Sequence, residues 1–252
     1  MSLVGKTALV TGGGRGIGRA IAERLASAGA KVFVCGRTAA DLEVVAGAIG
    51  GEARVVDLLD RAATARLAQA LLERHGRIDV LVNNAGIAES APLAATTDEA
   101  FDRTMALNVT APFVLARALV PAMVTAGWGR VVNVASNAGL VGYAYTAAYC
   151  ASKHALVGLT RALAVELATT GVTVNAVCPG FVDTELTAVA VRRIQGKTGR
   201  SEEDARRALA AMSPQKRLMT ADEVAHAVMS LIPHEARGIT GQSLAIDGGQ
   251  TQ

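Results

Sequence analysis

Short runs of β-branched and apolar residues alternate along this chain with longer stretches whose apolar positions recur every three or four residues. The short runs predict strands at Thr7–Thr11, Lys31–Cys35, Glu52–Asp57, Val80–Asn83, Arg130–Ala135, Thr173–Cys178 and Ser243–Ile246. Most are valine-rich and nearly continuous in apolarity, which suits parallel strands covered on both faces. The longer stretches predict helices at Gly16–Ala28, Ala39–Ile49, Arg61–His75, Thr97–Ala126, Ala148–Thr169 and Ala221–Leu231. Thr97-Asp98-Glu99 puts two acids in a first turn, where the helix dipole favours them. Strand alternating with helix implies an α/β fold: one doubly wound parallel sheet of about seven strands, flanked by helices. No Ser/Gly/Pro linker and no repeat divides the chain, so residues 1–252 read as a single domain.

One segment breaks the rhythm. Between Pro179 and Ala221 the pattern predicts helices with no strand between them, and Arg192–Arg217 carries eight Lys/Arg against three acids. An insertion here, spanning about residues 185–217, lies past the carboxyl end of a late strand, the edge that faces the ligand crevice in open α/β sheets. It reads either as a surface hairpin with solvated charges or as a small helical substrate lid, which Gly196 and Gly199 would let move.

Composition narrows the class. Hydrophobic residues are 51% and charged residues 19%, which excludes a disordered chain. Aromatics are 3%, so Ala, Val, Leu and Ile must build the core. A net charge of +3 with both signs interspersed, and no zinc-finger or bZIP pattern, points to no nucleic-acid partner. Cys35, Cys150 and Cys178 are far apart and odd in number, so they make neither a disulfide framework nor a metal knuckle. They suit a reducing, cytoplasmic setting. The N-terminal MSLVGKTALV is too short in its apolar run for a signal peptide. The longest uncharged run, between Arg130 and Lys153, carries Asn133, Ser136, Asn137 and three tyrosines, which are costly in hydrocarbon. The expectation is a protein with no membrane span and no metal.

The first predicted strand runs straight into Gly12-Gly13-Gly14-Arg15-Gly16-Ile17-Gly18, and a helix follows. Glycines let a backbone approach a pyrophosphate, and a helix N-terminus offers free N–H donors and a positive dipole end. The spacing is neither G-x-G-x-x-G nor a Walker A loop. Strand, glycines and helix in that order point to a dinucleotide. The carboxylate that would hold an adenine ribose is expected at the end of the second strand. Gly36 stands there, followed by Arg37. Without the acid a 2′-phosphate is not repelled, and Arg37 and Arg15 can pair with it. The alternative is that both arginines are solvated surface charges.

Downstream, Tyr149 and Lys153 are four apart and share a helix face. An ammonium near a phenol lowers its pKa toward the range of a general acid–base. Ser136, at the end of the fifth strand, is placed to hold a carbonyl oxygen. His154 and Cys150 fall on other helix faces and read as structural.

This combination resembles the short-chain dehydrogenase/reductase family over essentially the whole chain. The resemblance implies that Gly12, Gly14, Arg15, Gly16, Ile17 and Gly18 form the cofactor loop. It implies that Asp57 and Leu58 meet the adenine, and that Asn83-Asn84-Ala85-Gly86 is the turn supporting sheet and cofactor. Asn108 joins Ser136, Tyr149 and Lys153 in a catalytic tetrad, and Pro179, Gly180, Val182 and Thr184 hold the nicotinamide end. The implied cofactor is NADPH/NADP+, with NADH/NAD+ as the alternative. The implied assembly is a homotetramer, through the end at Gly248-Gly249-Gln250.

The implied activity is hydride transfer between nicotinamide and a carbonyl or secondary alcohol. The segments Lys31–Arg37 and Val172–Thr184 look most like the 3-oxoacyl thioester and polyketide ketoreductase branch. The chain departs from carrier-protein-dependent members at Gly127 and Thr170, where arginines are expected. That leaves acyl-CoA thioesters or free ketones as substrates. An NAD-dependent secondary-alcohol dehydrogenase and a non-catalytic NADP(H)-binding regulator are the other readings. Gly36 argues against the first, and the complete tetrad against the second.

Overall fold

A computed structural model describes residues 2–252, leaving Met1 of the N-terminal run outside the described residues. Seven parallel strands form one sheet: β1 (Thr7–Thr11), β2 (Lys31–Gly36), β3 (Glu52–Val55), β4 (Val80–Asn83), β5 (Gly129–Val134), β6 (Val172–Pro179) and β7 (Ser243–Ile246). Their order is β3-β2-β1-β4-β5-β6-β7. The order reverses between β1 and β4, so the carboxyl ends there open the crevice in which such sheets bind ligands. The helices are α1 (Gly16–Ser27), α2 (Ala39–Ile49), α3 (Arg61–His75), α4 (Asp98–Met105), α5 (Ala111–Thr125), α6 (Ala147–Glu166), α7 (Glu185–Thr198), α8 (Glu202–Ala210) and α9 (Ala221–Ser230).

Alternation within each strand sorts the core into two layers. Val10, Val32, Val34, Val82, Val132 and Val134 pack toward α1, α2 and α9. Leu9, Phe33, Leu81, Val131 and Val174 point the other way, toward α3, α5 and α6. Burial on both faces is why these strands read as continuous apolar runs.

Several expected bounds shift by one to three residues, the helix expected to Thr169 ending at Glu166, and two departures bear on the site. β3 ends at Val55 rather than Asp57, because Asp57 turns the chain by accepting from the Leu59 amide at 3.0 Å. The helix expected over Thr97–Ala126 is interrupted at Ala106–Thr110 by one π turn. Pro112 has no N–H to give the carbonyl four residues earlier, so the regular ladder fails there and the turn widens. The widened turn carries Asn108.

The insertion forms α7 and α8, which close a small core of their own from Val191, Ala205 and Leu209 against Phe181, Ile194 and Leu218. Two of its cations are answered by nearby acids. Arg206 pairs with Asp183 at 2.7 Å, Arg207 with Glu203 at 2.7 Å and Asp204 at 3.2 Å.

Candidate active site

The glycine loop is stapled to the sheet from below. The Thr11 hydroxyl, buried at the end of β1, accepts from the amides of Asn84 and Ala85, each at 2.9 Å. In return the Asn84 side-chain amide donates to the carbonyls of Thr11 at 2.9 Å and Gly12 at 3.2 Å. Two strand ends are thereby locked across the switch point. Gly12 takes φ = 63°, and a Cβ added at Gly18 would lie 2.2 Å from the Gly12 carbonyl oxygen. Only glycine fits that approach.

The residues present fit a dinucleotide. No side chain caps the N-terminus of α1, and no acid lies in its first turn, so its N–H groups are free to meet a phosphate. At the end of β2, a Cβ on Gly36 would be in ordinary contact with the Gly12 Cα at 4.0 Å. A side chain at position 36 would therefore stand over the loop, and glycine leaves that ground clear. Arg37 is exposed beside it. Arg15 is not simply solvated: its guanidinium donates to Glu185, the first residue of α7, at 2.8 Å. Thr184 precedes that residue and sits over Gly16, whose added Cβ would be 3.4 Å from the Thr184 methyl. The glycine loop and the start of the insertion thus form two lips of one crevice. Val182 is buried and bridges to Met219, which fixes the second lip.

On the other side of the switch point the four expected catalytic residues converge. The Ser136 hydroxyl caps the turn after β5, accepting from the Ala138 amide at 3.1 Å, and lies beside the Tyr149 phenol. Lys153, one turn along α6, is 4% exposed and donates to the carbonyl of Val134 at 2.9 Å. The widened turn aims Asn108 inward. Its Oδ1 accepts from the Ile87 amide at 2.9 Å, and its Nδ2 donates to the Ile87 carbonyl and the Ser152 hydroxyl, each at 3.0 Å. Ser152 donates on to the Tyr149 carbonyl at 2.7 Å. Asn108 therefore grips both the turn after β4 and the helix that carries Tyr149 and Lys153. A Cβ on Gly86 would meet Asn108 Oδ1 at 3.1 Å and Lys153 Nζ at 3.6 Å, so that glycine keeps the centre open.

The electrostatics differ from the expectation at one point. Burial raises the Tyr149 pKa above its usual value, with the Ser136 hydroxyl acting in the lowering direction. Lys153 Nζ lies 5.7 Å from the phenol ring centroid. Burial also acts on the lysine, whose pKa is pushed down to about 8. The expected ammonium-lowered phenol is thus not the state of the protein alone: desolvation outweighs the opposing hydrogen bond with Ser136. Cys178, also beside Lys153, is pushed up to about 11 by burial and stays a neutral thiol. His154 bonds the Cys150 carbonyl at 2.9 Å on the exposed side of α6.

Sequence reading missed two supports, Thr11 as the clamp under the loop and Ser152 as the link from Asn108 to Tyr149. Thr11 stood next to the glycines, but only pairing with β4 reveals what its hydroxyl does.

A phosphate-binding turn and a Ser–Tyr–Lys cluster, facing each other across the crevice of a seven-stranded parallel sheet, define a nicotinamide-dependent oxidoreductase. The profile of the short chain dehydrogenase family matches residues 6–194. The chain is 36% identical over 251 residues to the 3-oxoacyl-[acyl-carrier-protein] reductase FabG of Escherichia coli, covering 99% of this chain and 98% of that one. It is also 36% identical over 254 residues to D-beta-hydroxybutyrate dehydrogenase of Rhizobium meliloti, covering 98% of each. A crystal structure of an actinorhodin polyketide ketoreductase variant with NADPH superposes with a TM-score of 0.94 at 38% identity, over 98% of this chain and 97% of that one. The chain belongs to the short-chain dehydrogenase/reductase family. It is an NAD(P)-dependent oxidoreductase acting on a small molecule.

Proposed function

We propose that the protein uses NADPH to reduce a ketone of the 3-oxoacyl thioester kind or a related carbonyl. The observation that carries this reading is the convergence of Ser136, Tyr149 and Lys153 on one edge of the crevice, with Gly36 and Arg37 in place of a ribose-binding acid. Bound NADPH supplies the hydride. Tyr149 gives its proton to the carbonyl oxygen, and the Ser136 hydroxyl donates to the same oxygen, where charge develops. Lys153 has one N–H on the Val134 carbonyl. Its other two are available to a ribose hydroxyl and to a proton path past Asn108. Arg37, with Arg15 once it leaves Glu185, pairs with the 2′-phosphate. Asp57, Leu58, Ala85, Pro179, Gly180 and Thr184 line the rest of the dinucleotide site. A homotetramer in the cytoplasm belongs to the same reading, as does a substrate delivered without a carrier protein.

Two assays test it. NADPH and NADH are compared on a panel of 3-oxoacyl-CoA esters, free ketones and secondary alcohols. A kcat/KM for NADH equal to or above that for NADPH returns Arg37 to the solvated surface. Tyr149→Phe should lose about 10²–10⁴ in turnover while NADPH affinity stays within a few-fold; turnover within tenfold of wild type overturns the proton-donor role.

A further inference from the structure

The Ser136 hydroxyl has a donor behind it and no close acceptor in front. It accepts from the Ala138 amide at 3.1 Å. Its own hydrogen faces two oxygens, Asn137 Oδ1 at 3.4 Å and the Pro179 carbonyl at 3.5 Å. Both distances exceed an ordinary O–H···O bond of about 2.7–2.8 Å. A hydroxyl held so loosely keeps its hydrogen for an incoming oxygen, provided those two acceptors stay where they are. Pro179 is fixed by the sheet, at the end of β6 beside Ile246 of β7. Asn137 is a side chain on a single turn and needs a holder.

The holder is Gln250. Asn137 is 6% exposed, and its Nδ2 donates to Gln250 Oε1 at 3.1 Å, from the far end of the chain. A side-chain amide that donates on one side presents its oxygen on the other. The bond to Gln250 therefore aims Asn137 Oδ1 at Ser136 and anchors it there. Gln250 is itself held. Asp247, buried just after β7, accepts from the backbone amides of Gly249 at 3.0 Å and Gln250 at 3.2 Å, and from the Thr251 hydroxyl at 2.8 Å. Its carboxylate closes the last residues into a turn. Gly180 lets that turn come in, because an added Cβ would lie 3.0 Å from the Asp247 Cβ and 3.5 Å from Asn137 Nδ2. The sequence reading gives Gln250 to a subunit contact; the fold gives it a partner in its own site.

We infer that Gln250 is a positioning residue for the Ser136 hydroxyl, acting through Asn137: it fixes where Asn137 Oδ1 stands, so that the serine hydrogen is oriented by a neighbouring acceptor without being captured by it. The inference rests on the role given to Ser136 above. It is tested by the reduction of ethyl acetoacetate with NADPH and by the fluorescence titration of NADPH. Gln250→Ala lowers kcat about three- to tenfold, the effect of one neutral hydrogen bond, and leaves the Kd for NADPH within about twofold. In a Ser136→Ala background the same substitution changes the residual kcat by less than about twofold, because the group it positions is gone. Asn137→Ala lowers kcat as Gln250→Ala does, and the two together cost no more than either alone. An unchanged kcat in Gln250→Ala would overturn the inference; so would an equal loss with and without Ser136, which would make the turn after β7 a general support. A Ser136→Ala variant as active as wild type would remove the serine from the mechanism and the inference with it. Wild type that does not reduce the ketone counts against the reductase reading alone. Crystal structures then decide: the Asn137 amide turns in Gln250→Ala relative to wild type, and an unmoved Asn137 overturns the inference.

Discussion

A buried cation lies at each end of β5, Arg130 on the strand itself and Lys153 reaching it from α6, and neither faces a carboxylate. At the amino end Arg130 is 1% exposed. Its guanidinium donates to four backbone carbonyls, those of Ile232 at 2.9 Å, Gly129 at 2.8 Å, Gly171 at 3.2 Å and Pro233 at 3.3 Å, and lies 4.6 Å from the centre of the Trp128 ring. At the carboxyl end Lys153 is equally deep but meets a single protein acceptor, the Val134 carbonyl. The difference is one of satisfaction. Five donors in a planar fork, with four carbonyls and an aromatic face, leave Arg130 nothing more to do. An ammonium with one partner is under-satisfied, and burial drives its pKa down to about 8. The first cation ties strand ends together. In the proposed function the second is held ready for a ligand and for proton exchange, and a buried, under-satisfied charge of this kind is what functional sites carry.

Replacing each cation by methionine breaks or sustains this contrast. Lys153→Met should lower turnover by about 10²–10⁴, because the acid–base machinery loses its charge and its ribose donor. Its Tm should hold or rise, since an under-satisfied buried charge is removed. Steady-state NADPH oxidation and a thermal melt read the two effects. A Tm drop with unchanged turnover would make the two cations alike.

Arg130→Met should cost about 3 kcal/mol as its carbonyls lose their donors. For a chain of this size that is a fall in Tm of roughly 6–12 °C. The folded fraction should keep its kcat. A variant that melts like wild type would show that those carbonyls find water instead.

The exposed cations rank next. Arg37→Ala removes a charge-assisted hydrogen bond worth about 1.5–3 kcal/mol, so KM for NADPH should rise about tenfold or more and KM for NADH hardly at all. Equal changes in both would place Arg37 away from the 2′-phosphate.

The smallest effect is the most diagnostic. Because the folded-state pKa of Lys153 lies near 8, below its ordinary value of 10.5, the unfolded chain binds the extra proton between those pH values. Stability from this group is then fully present above 10.5 and is lost as pH falls through about 8. Arg130, charged throughout, contributes no such slope. Reductive kcat/KM should move in the opposite sense, falling as pH rises through about 8 and the ammonium is lost. In Lys153→Met both slopes should vanish, and a wild-type Tm slope that survives the substitution belongs to another group.

Much of the fold was legible because its cause is local. Valine runs covered on both faces, glycines at a strand–helix junction and the Tyr149–Lys153 spacing all express rules that act within a few residues. β1, β4, β7, α2 and α3 begin and end where the pattern places them. Asn108, Ser136, Tyr149 and Lys153 were also visible in the chain as residues, and the structure brings them to one crevice.

What the chain alone could not decide arises from contacts between distant segments. The π turn that aims Asn108 depends on Pro112 within the helix, yet what it aims at is Ile87 and Ser152, and only folding supplies those. Thr11 becomes a clamp when β4 arrives beside β1. Arg130 reads in the sequence as the first residue of a strand; one carbonyl of its own strand and three from two distant segments make it a buried tie. The Tyr149 shift runs opposite to what helix spacing alone implies, for the same reason. Spacing on a helix sets which charges are neighbours, whereas the balance between their attraction and the cost of drying them depends on how deeply the whole sheet and its helices bury both. Local sequence determined the elements and the identity of the reacting groups, because propensity, patterning and turn chemistry act over short range. Tertiary structure decided their protonation and their partners, because dielectric surroundings and hydrogen-bond acceptors are supplied by segments far apart in the chain.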